Sequence, residues 1–155
     1  MYSKIKKISY LFIFVFIAVL PSCGDQNIEQ KIVGTWEVES ANLINTKEML
    51  KVHKEMIGEE NLKGISDEEI IEEIKNDFTS DIKGSEILFG KDKKIMLEGH
   101  QGDWKMADNK TVVAVNGNRE FNFIVNKINE NKMNFELVIK DEKANIRLDI
   151  NCKKK

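Results

Sequence analysis

Apolar and polar residues alternate one by one through most of the second half of the chain. Phe121, Phe123 and Val125 oppose Asn122 and Asn126; Met133, Phe135, Leu137 and Ile139 oppose Asn134, Glu136 and Lys140. Ile146, Leu148, Ile150 and Cys152 oppose Arg147, Asp149 and Asn151. A period of two gives each strand one dry and one wet face. The pattern predicts strands over 85–89, 94–98, 103–107, 111–116, 119–128, 132–140 and 145–152, with a first strand between Ile32 and Ile44 that sets Trp36 and Val38 against Glu37 and Glu39. Tight-turn residues separate them: Gly90 to Lys93, Asp108-Asn109, and Asn116-Gly117-Asn118, where asparagine and glycine accept positive φ readily. One dry face throughout suits an antiparallel sheet curled on itself, and closure leaves no edge strand exposed. The expected fold is mainly β, an eight-stranded antiparallel up-and-down barrel. A two-sheet sandwich fits the same strands, but the run of consecutive hairpins favours the barrel.

The period changes between the first two strands. Met49, Val52, His53, Met56 and Ile57 share one side of a helix that Thr46 can cap and Gly58 can end. A second helix opens at Ser66-Asp67-Glu68-Glu69, a capping box, and carries Ile70, Ile71, Ile74 and Phe78 as its stripe. A two-helix insertion over about 46–79 is therefore expected between strands 1 and 2. Its Met49, Met56, Ile70 and Ile74 would cover the barrel as a lid or plug, or complete its core.

The first 22 residues follow different rules. Lys4, Lys6 and Lys7 precede an apolar run from Tyr10 to Leu20. A basic segment before a short apolar one is the build of a secretory signal, and the run is short of the roughly 20 residues a spanning helix needs. Leu20-Pro21-Ser22-Cys23 resembles the bacterial lipobox, which implies cleavage before Cys23 and attachment of a diacylglyceryl group to its thiol. With more than one acyl chain, each buried methylene contributing about 0.8 kcal/mol, such an anchor holds a domain on a membrane stably. Residues 23–30 then read as a lipidated tether and 31–155 as the barrel domain. Removing 1–22 takes three lysines and no acid, leaving 21 cations against 26 acids, a net charge of −5. That balance excludes a basic nucleic-acid binder and gives anionic lipid no electrostatic hold on the domain. The fatty anchor is the expected partner of the membrane, and the cell envelope, at the outer membrane, the expected location.

Gly34-Thr35-Trp36, at the start of the first strand of an eight-strand meander, resembles the G-x-W signature of lipocalins. Together with the lipobox it is similar to the lipocalin-like lipoproteins common in Bacteroidetes, over roughly residues 31–153. The resemblance implies that Trp36 plugs the closed end of a calycin-like barrel and that an arginine from the last strand, here Arg147, lies over its ring. The helix pair is instead similar to fatty-acid-binding proteins, in which it covers the mouth.

Candidate chemistry is sparse. His53 falls on an apolar helix stripe, and His100 in a turn from Gly99 to Asp103; neither has a nucleophile or third metal ligand placed beside it. Glu68, Glu69, Glu72 and Glu73 sit at a helix start, where acids complement the macrodipole. Cys152 has no second cysteine or histidine near it, so a buried small hydrophobe is expected and a metal is not. These readings predict a non-enzymatic protein with no cofactor. A pocket, if present, would be lined by the bulky dry-face residues Trp104, Phe121, Phe123, Phe135 and Leu137, and would take a small hydrophobic ligand. The alternative is a filled barrel that docks an envelope protein as an interaction or inhibitor module.

Overall fold

The computed structural model describes residues 27–140, 142 and 145–155. The expected signal segment and Cys23 lie outside them. The described residues open with a short helix, α1 (Ile28–Ile32), followed by β1 (Gly34–Leu43), α2 (Thr46–Ile57) and α3 (Asp67–Thr79). Seven strands complete it: β2 (Glu86–Phe89), β3 (Lys94–Leu97), β4 (His100–Met106), β5 (Thr111–Asn116), β6 (Arg119–Ile128), β7 (Lys132–Ile139) and β8 (Ile146–Lys154). Each pairs antiparallel with the next, and β8 returns to β1, closing an eight-stranded up-and-down barrel with the helices inserted after β1.

Alternation decides which side chains enter. Ile87 and Phe89, Ile95, Trp104, Val112 and Ala114, Phe123 and Val125, Met133, Phe135 and Leu137, and Leu148, Ile150 and Cys152 are all buried. A bulge after Val38 shifts β1 by one residue, so that Ala41 faces Ile150 and Leu43 faces Leu148. The register fixes two unlike ends. The β2–β3, β4–β5 and β6–β7 turns lie at the end where β1 begins. The helical insertion and the β3–β4 and β5–β6 turns lie at the other, which forms the mouth.

The capping box of α3 forms as read. The Ser66 backbone N–H donates to Glu69 Oε2 at 2.8 Å and the Glu69 N–H donates to Ser66 Oγ at 3.2 Å. The Ser66 backbone N–H and the Ser66 hydroxyl, both donating to the Glu69 carboxylate, hold it below the ordinary carboxylate range. Ile70 and Ile74 of α3 and Met49 of α2 join Leu43 in the core, with α3 against β1 and α2 against α3.

Three local expectations are corrected. The end of the stretch read as a tether is helical: Asn27 Oδ1 accepts from the Glu29 N–H at 3.1 Å, and Ile32 is fully buried. Five residues are too few to reveal a helical period, so α1 was silent in the pattern. His100 is the first residue of β4 rather than part of a loop. The turn is shorter than read, with Glu98 and Gly99 as its two central residues at φ 50° and 80°, the signature of a type I′ hairpin. The residue before α2 is Asn45, at the N-cap position, and Thr46 is the first helical residue.

Candidate functional site

The lower half of the barrel is solid. Trp36 is fully buried, and its indole N–H donates to the Ile32 carbonyl at 2.7 Å, tying the floor to α1. Lys93 is hydrogen-bonded to Glu29 and lies 3.9 Å from the centroid of the Trp104 ring, so one ammonium joins α1 to the second indole. Above this, Phe89 meets Trp104 and Phe123 edge-on at 5.8 and 5.5 Å, and Phe123 meets Phe135 at 5.3 Å. This aromatic stack closes that end.

The cation over Trp36 is not Arg147. Register explains why: Trp36 pairs with Lys154 at the floor, whereas Arg147 sits beside Leu148, which faces Leu43 near the mouth. Lys154 Nζ lies 5.1 Å from the Trp36 ring centroid. Arg147 points outwards, where its Nε donates to Glu136 on β7. Gly34 makes the arrangement feasible. A Cβ there would stand 2.8 Å from Lys154 Cε, and its φ of +137° is unfavourable for other residues. The glycine and tryptophan of the G-x-W triplet thus serve one contact.

Over this floor the upper half holds a cavity of about 660 Å³. Its base is Phe123, and its walls include Phe121, Leu137 and Ile139 on one side and Val38, Ile87 and Ile95 on the other. Ala114 leaves part of the wall without bulk. Of the residues expected to line a pocket, Phe121, Phe123 and Leu137 do so. Trp104 and Phe135 do not: both belong to the floor, where the Trp104 indole N–H donates to the Gly90 carbonyl at 3.1 Å. The helices do not line it either. Met49, Ile70 and Ile74 complete the core, Met56 is 57% exposed, and the insertion reaches the cavity only through Ile82 and Ser85 after α3.

The mouth is polar. His100, Asn116, Gly117, Asn118 and Arg119 border the cavity, with Glu98 at the β3–β4 turn. Sequence reasoning placed His100 in a solvated turn and missed the others, although their signal is present. The inner-face positions of β4, β5 and β6 run Trp104–Gly102–His100, Ala114–Asn116 and Phe121–Arg119, so each strand turns polar at its last inward position. Gly102 brings β4 and β5 together there, since a Cβ would lie 2.4 Å from the Val115 carbonyl oxygen. Asp103 takes the opposite face and binds Lys94, so it does not join His100.

Cys152 is 1% exposed, and burial pushes its thiol from the ordinary 9.0 up to about 12. Because the folded value lies above the unfolded one, folding is favoured while both states are protonated. That advantage is lost as pH rises above about 9 and the unfolded chain alone ionises. The urea midpoint of the wild type should therefore fall more between pH 8 and pH 10.5 than that of Cys152→Ala. Equal falls would contradict the assignment.

Among the described residues no group of three or more His, Cys, Asp or Glu side chains is placed to hold a metal ion, and no helix is long and apolar enough to cross a membrane. Compared with protein-family models, with curated proteins and with solved structures, the chain matches none.

Proposed function

We propose that the protein is a membrane-anchored, lipocalin-like lipoprotein of the bacterial cell envelope whose barrel binds one small apolar molecule without turning it over. The cavity above Phe123 carries this reading. Its volume lies within the roughly 300–1,000 Å³ of small-molecule pockets, and its walls are apolar below a polar rim. Binding would be driven by desolvation, at about 25 cal/mol for each Å² of apolar surface withdrawn from water. The rim would set the guest's orientation. Anchoring rests on Leu20-Pro21-Ser22-Cys23, with Cys23 as the acylated residue at the outer membrane.

Native mass spectrometry of the full-length protein, before and after lipid extraction, tests the binding. One guest per chain is expected, and extracted protein should take up one added long-chain alcohol; no adduct in either state would overturn it. Detergent phase partitioning tests the anchor: wild type should enter the detergent phase and Cys23→Ser the aqueous phase. A second reading, docking of an envelope protein, is favoured by the exposure of Met56, Ile57 and Ile65 about the ends of α2 and α3. It prevails if the barrel stays empty while one protein co-purifies stably and is lost in Met56→Glu.

A further inference from the structure

Charge is divided unevenly between the two ends of the barrel. Segments 27–33, 90–94, 107–110, 127–132 and 153–155 make up the closed end, and they hold ten lysines and four acids. Three of the lysines, Lys94, Lys153 and Lys155, reach up the wall to Asp103, Glu37 and Glu86. Setting those aside leaves seven lysines against four acids. The acids are engaged as well: Glu29 binds Lys93, while Asp92 and Asp108 accept backbone N–H groups within their own turns. The helical insertion over 46–79, at the opposite end, carries ten acids and five lysines. A net charge of −5 gives anionic lipid no hold on the domain as a whole, but it conceals a basic face.

A groove of about 800 Å³ lies beneath α1 on that face. Its lining includes Lys31 of α1, Lys110 of the β4–β5 turn and Lys127 of β6, with Asn27, Asn109 and Asn129; among the described residues no carboxylate lines it. Ammonium and amide groups donate hydrogen bonds that phosphate oxygens accept. The groove has a fixed wall, because α1 is held by buried Ile32 and by the Trp36 indole on the Ile32 carbonyl. Cys23 stands four residues before Asn27, and four residues span at most about 14 Å however they run. An acyl chain on Cys23 therefore brings the closed end to the bilayer. Asp25, the acid in that link, still leaves lysine in excess.

Resting on the reading of Cys23 as the acylated residue, we propose that the closed end of the barrel docks on an anionic lipid surface. Headgroup phosphates enter the groove beneath α1, and the acidic insertion, repelled by the same surface, keeps the mouth on the aqueous side. The anchor confines the domain to the membrane; the lysines fix which way up it stands.

Quenching from lipid headgroups tests this on full-length, acylated protein in vesicles, with one added thiol to carry a dye. Asn131→Cys places the dye at the closed end and Glu68→Cys places it on α3; both positions are exposed, whereas Cys152 is buried. In equal parts of phosphatidylcholine and phosphatidylglycerol, a headgroup-linked quencher should dim the dye at 131 about threefold more than the dye at 68. Phosphatidylcholine alone, or high salt, should shrink that difference. Lys110→Glu combined with Lys127→Glu should reduce it to the phosphatidylcholine level, while the protein still floats with the vesicles and keeps its circular dichroism spectrum. Equal quenching at both positions in the mixed vesicles would overturn the proposal and leave the anchor standing. A difference unchanged in phosphatidylcholine alone, or in the charge-reversed protein, would do the same. Protein that floats with neither vesicle would overturn the anchor itself, and the docking with it.

Discussion

Trp36→Ala is expected to lower the free energy of unfolding by about 3–5 kcal/mol, the usual range for deleting a buried large aromatic. Three losses coincide. The cavity opens in the fully buried floor, the Ile32 carbonyl loses its indole donor, and Lys154 loses the ring beneath it. Domains of this size are stable by only about 5–15 kcal/mol, so a drop in Tm of roughly 10–20 °C should follow. Thermal unfolding followed by near-ultraviolet circular dichroism would measure it. Trp36→Phe keeps most of the apolar bulk but removes the hydrogen-bond donor and part of the bicyclic ring; it should cost about 1–3 kcal/mol. A loss below about 1 kcal/mol in Trp36→Ala would mean that α1 and the floor are not one packed unit.

Ala114→Phe should act in the opposite way, sparing stability and removing binding. Ala114 borders the cavity, so an added ring is directed into that space. Inserting carbon into a filled core costs about 1–3 kcal/mol; here the change in stability should stay below about 1 kcal/mol. The ring would occupy volume otherwise taken by a few methylenes of the guest, each worth about 0.8 kcal/mol. Affinity for an apolar dye should therefore weaken by roughly 30- to 100-fold. A folded Ala114→Phe protein with unchanged affinity would place the dye elsewhere, with the exposed apolar residues of α2 as the alternative site.

The architecture was legible because the signals that specify it are local. Period-two alternation in β6, β7 and β8, the Asn116-Gly117-Asn118 turn and the Ser66–Glu69 box each act within a few residues, and the run of hairpins favours a closed sheet over a sandwich. Position along the barrel axis was harder to read. Alternation says that Trp104, Phe121, Phe123 and Phe135 all point inwards, but not which of them stand at the floor. That depends on the distance to the nearest turn. Trp104 lies near the β4–β5 turn of the closed end, whereas Phe121 is two residues from Arg119 at the mouth.

The exchange of Arg147 for Lys154 has the same origin. Both are cations on the last strand, and only the β1–β8 register places one of them beside Trp36. His100 and Arg119 were hidden for a related reason. A polar residue at a strand end looks like a solvated turn until the parity of the strand is carried through to its last position. The helical stripe was read correctly as apolar, yet amphipathicity alone does not distinguish a lid from a core element. Burial of Met49, Ile70 and Ile74 with Leu43 decides for the core.

A crystal structure of the protein with a long-chain fatty acid brominated at its terminal carbon would test the central claim most directly. A single anomalous peak is expected inside the barrel, above the Phe123 ring and between Leu137 and Ala114. Bromine on the outer surface against α2, or no ordered peak beside an empty barrel, would contradict it.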